Sequence, residues 1–268
     1  MKSYLNYFKL NLISNLQYRA ASIAGILTQL FFGFVYIMVY LAFYESNAGT
    51  AVPMELNNLV TYLWLQQAFF TLTFPFTKDY DLLAMIKNGN LAYELIRPQN
   101  FFIKFYVKMV ANKVGNMLLK SWFVLLVAFL LPEPYKLMLP KSFSHFVIFV
   151  LALILSCLLI SAITVIVHIL TMFTVDYKGI TNMYLIIGQL FTGLIIPLPF
   201  MPNFLKIMAK YLPFRYIGDF PFRIYSGDIG INAGIDLLMG SFIWLIIMIF
   251  IGLIISQKAL KKAVIQGG

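Results

Sequence analysis

Apolar residues run along this chain in six long stretches, at 20–44, 59–76, 110–131, 143–173, 180–197 and 231–256. Each is close to or above the roughly 20 apolar residues with which a helix crosses the ~30 Å hydrocarbon layer of a bilayer. The longer ones leave room for tilt or for extension past the hydrocarbon. Backbone groups in hydrocarbon must be satisfied within the span, and continuous apolar runs read as helices rather than as alternating barrel strands. The pattern therefore predicts an all-α integral membrane protein with six transmembrane helices, built as a single domain over 1–268.

Three segments between the runs carry patterns of their own. In 1–19, Tyr4, Leu5, Phe8, Leu12 and Leu16 share one helical face, and Lys2, Asn6, Lys9 and Gln17 share the other. That arrangement suits an interfacial helix. Leu10 and Ile13 break it, so an ordinary cytoplasmic extension of the first span stays open as the alternative. In the loop 77–108, Thr77 is placed to cap a helix with Asp79 and Asp81 in its first turn, Lys87 in its last and Gly89 as its stop. Leu82, Met85 and Ile86 give this helix an apolar face, and Asn100 is placed to cap a following helix over 101–113 that feeds the third span. A short capped helix makes a good lever for another protein; the other reading is an inert loop lying on the head groups. In 198–230, Pro199, Pro202, Pro213 and Pro221 alternate with Phe200, Phe204, Phe214, Phe220 and Phe222. This predicts a re-entrant or interfacial set of short helices, or an aromatic belt at the membrane surface.

Composition agrees with lipid as the main solvent: 61% hydrophobic, 11% charged, mean hydropathy +0.86. The net charge of +10 needs no nucleic acid, since anionic lipid and membrane topology account for it. With both termini in the cytoplasm, 13 of the 20 basic residues lie inside, and the positive-inside rule favours N-in, C-in. Six basic residues lie outside: Lys136, Lys141, Lys206, Lys210, Arg215 and Arg223, while Lys120 sits within the third span. The last outer loop is thus itself basic. The first nineteen residues lack the apolar core of a signal peptide, so they are expected to be retained.

No Asp or Glu stands in the middle of a span, and Asp236 only begins the sixth. A buried ionisable group in lipid is costly and is usually kept for ion coupling; its absence suggests that energy arrives from a partner. Cys157 is alone, His145 and His168 have no ligand spacing, and no HExxH, GxSxG or GxxxxGK[ST] occurs. The chain is therefore expected not to be an enzyme, to bind no metal and to hydrolyse no ATP itself. Ala21, Gly25 and Gly33 line one face of the first span and would permit close packing. Aromatic residues, among them Phe31, Phe34, Tyr40, Phe69, Phe70 and Phe74, crowd the first two spans. They could line a substrate pathway or simply face lipid. An ion-coupled carrier or channel subunit remains the alternative to a partner-driven transporter.

The order of these features resembles the ABC-2 type exporter permeases, in particular the bacterial drug or uncharacterised subgroup. The resemblance rests on the N-terminal helix, the six spans, and Ile86-Lys87-Asn88-Gly89-Asn90 running into Leu95-Ile96-Arg97-Pro98. It rests also on Leu212-Pro213-Phe214, Phe220-Pro221 and Ile224-Tyr225-Ser226-Gly227 before the last span. It implies a bacterial cell-membrane permease that pairs with a second permease, identical or a sibling, and with two copies of a cytoplasmic ABC ATPase. ATP and Mg would be bound by that ATPase and no cofactor by this chain. The second loop would carry the coupling helix, with Lys78, Asp79, Tyr80, Asp81 and Lys87 facing the ATPase and Glu94 and Arg97 as nearby polar contacts. Pro199, Pro213, Phe214 and Pro221 would belong to the outer re-entrant segment. The cargo would be amphipathic or hydrophobic: a drug, a peptide or a lipid-like molecule.

Overall fold

A computed structural model describes residues 2–17, 19–46, 52–87, 94, 99–174 and 177–262. Among them there are helices and turns but no strand. The helices are α1 (Lys2–Leu16), α2 (Arg19–Ser46), α3 (Leu56–Ala68), α4 (Phe70–Thr73), α5 (Tyr80–Lys87), α6 (Phe101–Leu130), α7 (Phe143–Leu170), α8 (Tyr177–Phe191), α9 (Asn203–Lys210), α10 (Asp219–Ser226) and α11 (Ile231–Lys262). Short 3-10 turns stand at Thr171–Phe173, Leu198–Phe200 and Pro213–Tyr216.

Four of these helices are long and apolar enough to cross a membrane: Ser22–Ser46, Phe101–Leu130, Phe143–Phe173 and Ile231–Lys261. The other two predicted spans are broken. The run 59–76 folds as α3, a break at Phe69, the single turn of α4 and then extended chain. With 13 residues, α3 is only about 20 Å long. The run 180–197 folds as α8, of 15 residues, and ends in a turn where Gly193 takes φ +81°. Hydropathy averaged over each run does not foresee such breaks, because both runs stay apolar overall despite Gln66, Gln67 and Pro75 in one and Gln189 and Gly193 in the other.

The bundle is organised around α7, whose apolar window is 61% buried against 17–28% for the other three long helices. Since lipid tails are as apolar as leucine, helices associate here by close packing and interhelical hydrogen bonds. Gly33 of α2 accepts the Trp64 ring: a Cβ added there would stand 2.5 Å from it. Trp64 in turn meets Phe34 edge-on at 5.4 Å and donates Nε1–H to the Tyr135 carbonyl at 2.7 Å. Gly25 packs on the end of the half-buried Lys120 side chain. The small-residue face predicted for the first span is thus used at both glycines; the Ala21 side chain lies outside the described residues. Gly188 abuts Pro75 just as closely, with an added Cβ 2.5 Å from the ring.

The helix expected over 101–113 feeds the third span as one continuous element. Asn100 caps it as expected, accepting the Ile103 N–H at 3.1 Å, and the helix it opens runs unbroken for 30 residues. Beside its first half lies α1, in register from Tyr4 (accepting the Asn100 N–H at 2.9 Å) to Asn15 (bonded to Asn112 at 2.6 Å). Of the expected apolar face, Tyr4, Phe8, Leu12 and Leu16 are half-buried and Leu5 is exposed, while Lys2, Asn6, Lys9 and Gln17 are all exposed. The contacts with α6 include Tyr4 and Leu12 from that face and the Asn15 amide beside it.

The glycine contacts give a sharp contrast. Gly33→Ala drives a methyl into a ring that cannot retreat and should cost about 1–3 kcal/mol, read as a lower thermal unfolding midpoint of the purified protein in detergent. Gly25→Ala meets only the flexible end of Lys120 and should leave the midpoint within error.

Candidate functional site

At one end of the bundle, α5 lies over a small core made by the start of α6 and the ends of α7 and α11: Phe101, Phe102, Phe105, Ala162, Ile166 and Ala259. Leu82 is buried in it with Met85 and Ile86 half-buried against it, and Leu83 is buried as well. The opposite face of this segment is open. Thr77, Lys78, Tyr80, Asp81 and Ala84 are exposed, Tyr80 by 72%.

The helix starts later than expected. Asp79, not Thr77, caps it, accepting the Leu82 N–H at 3.1 Å on Oδ1. That position takes Asp79 out of the first turn and into the protein. Its side chain is only 3% exposed and pairs with Lys108 at 2.8 Å, while the same ammonium reaches the exposed Asp81 at 3.0 Å. Glu94 is likewise inside, paired with a buried Lys104 at 2.5 Å. So the predicted set of partner-facing residues divides. Lys78, Tyr80 and Asp81 face outward, whereas Asp79 and Glu94 are internal, because each carboxylate has a lysine one or two turns into α6 to neutralise it. Lys87 ends α5, with its side chain outside the described residues; Arg97 and the segment 88–93 lie outside them altogether.

Between α4 and α5 the chain runs extended through 74–79, threaded between α6 and α7. Its buried backbone groups need partners inside the protein, and three side chains bond those at its two ends. Lys113 donates to the carbonyls of Leu72 (3.1 Å) and Phe74 (3.0 Å) at the end of α4. The Thr164 hydroxyl shares its hydrogen between Ile160 in its own helix (2.7 Å) and Pro75 (3.2 Å). His168 donates Nδ1–H to the Thr164 carbonyl at 2.7 Å, which leaves Nε2 as acceptor for the Asp79 N–H at 3.0 Å. The neutral tautomer follows from those two partners. Phe76 stacks on the same imidazole at 4.8 Å. Both histidines thus serve as hydrogen-bonded helix contacts, His145 through Ser142 at 2.8 Å. The buried Lys113 is the residue that sequence reading missed; its spacing from Lys104 and Lys108 made it look like one more cytoplasmic cation.

The aromatic residues expected to line a pathway do not converge. Phe31 points outward, Phe34 packs on Trp64, and Tyr40 packs on Phe200 at 5.2 Å. Phe69 is buried against Phe149 and Phe222. Phe70 and Phe74 pair at 5.0 Å. Of the six, Phe70 alone lines the cavity of ≈ 270 Å³ between α2, α3 and the turn after α8, together with Gln29, Gln66, Gln67 and Gln189. Four glutamines within apolar runs, Gln29, Gln66, Gln67 and Gln189, are the signal in the sequence for this cavity. Gln66 is held by the Gly193 carbonyl at 2.8 Å.

At the other end of the bundle, 198–230 folds into the short helices that its prolines predict. Pro199 lies in the turn after α8, Pro213 opens the turn Pro213–Tyr216, and Pro221 falls in the first turn of α10, where a missing N–H costs nothing. Phe214 is buried against Tyr184. The Ile217 carbonyl accepts from Ser156 at 2.5 Å, thirteen residues into α7 and so about 20 Å from its start. From there the chain returns, through Gly227 at φ +81°, to the start of α11. Burial pushes the Asp219 carboxyl above the ordinary range against the pull of Arg223.

Removing the partners of the extended segment should destabilise the fold. Lys113→Met and His168→Phe each orphan buried backbone groups, at about 1–3 kcal/mol apiece. Because both secure one stretch of chain, the double variant should lose measurably less than the sum, as read in a thermal-unfolding double-mutant cycle. Strict additivity would mean that the two ends of the segment are held independently.

Residues 30–267 match the family model for "ABC-2 family transporter protein". No curated protein matches the sequence. Members of this family are membrane components without catalytic activity of their own, and they generally work with an ABC ATPase.

Proposed function

Because the chain belongs to the ABC-2 family of transporter proteins, we propose that it is the permease subunit of an ATP-driven exporter and that α5 is its ATPase-coupling helix. The observation that carries this reading is the two-sidedness of α5. Tyr80 and Asp81 face outward on a helix whose other side is sunk among α6, α7 and α11. Its first residue is joined to the middle of the bundle by the extended segment held by Lys113, Thr164 and His168. A push on α5 is therefore delivered to α4, α6 and α7 together rather than absorbed by a loop. Coupling needs such an element with two arrangements that a partner can bias.

In this reading two copies of a cytoplasmic ABC ATPase bind ATP and Mg and close beneath two permeases, this chain and a second that is identical or a sibling. The single domain 1–268 lies in a bacterial plasma membrane with both termini inside. The two broken runs complete six crossings: Phe69 stands beside Phe149, Pro75 beside Thr164 and Asp79 beside His168, so the second run descends along α7 despite its break. By the same reading α1 is interfacial and 198–230 re-entrant. The glutamine-lined cavity beside Phe70 forms the wall toward the second permease. Its mixture of amides and rings suits an amphipathic or hydrophobic cargo, a drug, a peptide or a lipid-like molecule, moved outward.

The test uses the complete transporter, recovered with its ATPase and reconstituted in liposomes. Tyr80→Ala with Asp81→Ala should leave the melting temperature of the permease near wild type. ATP-driven transport should fall by about tenfold, as expected when an exposed anchor worth more than 1 kcal/mol is lost from an interface. Asp79→Ala should instead lower the melting temperature, because it removes the cap of α5 and the buried one of the two carboxylates that pair with Lys108. Undiminished transport in the double variant would remove α5 from the coupling role. Transport driven by a proton gradient without any ATPase would favour the ion-coupled alternative.

A further inference from the structure

The basic outer loop is unexplained by topology, and its cations are gathered rather than scattered. Lys206, Lys210, Arg215 and Arg223 line one cavity of ≈ 370 Å³ together with Asp219, Pro53 and the turn at Pro199. Arg223 is already neutralised, with Nε 2.6 Å from Asp228 and Nη1 3.4 Å from Asp219. Among the described residues no carboxylate lies within ion-pair distance of Lys206, Lys210 or Arg215. The Arg215 Nε is buried without a hydrogen-bond partner. Three cations, one of them with an unused guanidinium donor, therefore converge on a space that a single carboxylate, Asp219, also lines. Like charges are gathered this way when an anion completes the site, and a guanidinium fork flanked by ammonium groups fits the oxygens of a phosphate.

The helix that carries the lysines indicates where that phosphate comes from. On α9, Lys206 and Lys210 face the cavity, while Phe204 (63%), Ile207 (55%) and, just beyond its end, Tyr211 (76%) are exposed. A short helix with an exposed apolar face and a cationic face lies at the boundary of head groups and acyl chains. The cavity also stands at the end of the bundle opposite α5. Arg223 and Asp219 belong to α10, which packs on the first half of α7 through the Phe149–Tyr225 pair at 4.9 Å. Head-group phosphate is the anion available at that level of the membrane. A cavity of this size takes a head group and leaves the acyl chains on the apolar face of α9.

We propose that the outer segment holds the phosphate of an anionic phospholipid between Lys206, Lys210 and Arg215. The site stands independently of the coupling reading, since it needs neither the ATPase nor transport. It gives the excess of outer cations a function: to seat α9 against the outer leaflet.

The purified full-length chain in detergent is titrated with dioleoylphosphatidylglycerol, dioleoylphosphatidylcholine or glycerol 3-phosphate at constant ionic strength. Bound lipid is followed by native mass spectrometry and stability by thermal shift. The expected result is retention and stabilisation by phosphatidylglycerol, little by phosphatidylcholine and little by glycerol 3-phosphate. Lys206→Gln with Lys210→Gln, on the surface of α9, should fold like wild type and lose about tenfold in phosphatidylglycerol affinity; Arg215→Gln should lose at least as much. Equal binding of phosphatidylcholine would reduce the site to an apolar surface, and an equal response to glycerol 3-phosphate would assign it to a soluble phosphate compound. Wild-type phosphatidylglycerol affinity in the double-lysine variant would remove the site. Each of these three results overturns the proposal.

Discussion

An extended chain threaded into a helical bundle lacks the hydrogen bonds of a helix, and the packing around residues 74–79 is arranged to supply them. A helix would satisfy its own backbone; this segment does not, so α6 and α7 must do so with Lys113, Thr164 and His168. Meeting that demand places a cation and an imidazole inside an apolar bundle, where each is tolerable only because its polar atoms are spoken for. It also forces close approach on the far side, where Gly188 leaves room for Pro75. The break in the second apolar run is thus a joint whose Phe74 and Pro75 carbonyls and Asp79 N–H are bonded by the neighbouring helices.

The consequence is mechanical. Asp79 sits at the meeting point, with its N–H on α7, its carboxylate on α6 and its Oδ1 capping α5. One residue therefore ties two long helices to the short helix that faces outward. Buried ion pairs contribute little net stability but specify geometry when they are fully bonded. The two at this end, Asp79–Lys108 and Glu94–Lys104, fix the pose of the loop against α6. The other end of the bundle follows the same logic with fewer acids, and there the cations outnumber the groups that could neutralise them.

Much of this was legible beforehand, in particular places. The Asn100 cap, the apolar face of α5, the short helices imposed by Pro213 and Pro221, and the close packing at Gly25 and Gly33 all follow from local rules, and local rules read well from sequence. The boundaries did not follow so easily. Thr77 and Asp79 are both competent caps two residues apart, and only the Lys108 ammonium and the His168 acceptor decide between them. Likewise the aromatics of the first two spans carry no local mark that separates Phe31, facing out, from Phe69, buried between α7 and α10.

What the sequence determined by itself is the solvent and the scale: long apolar runs that admit a bilayer, no carboxylate in the middle of any of them, and a capped amphipathic helix between the second and third apolar runs. Hydropathy and capping are properties of consecutive residues, so no partner is needed to read them. Tertiary structure alone decided which charges go inside and where two apolar runs stop being helical. Those outcomes depend on residues far apart in the chain, as when Lys113 meets the carbonyls of Leu72 and Phe74. A lysine forty residues away is invisible to any local pattern, yet in a medium without water its bonds let the helix end there.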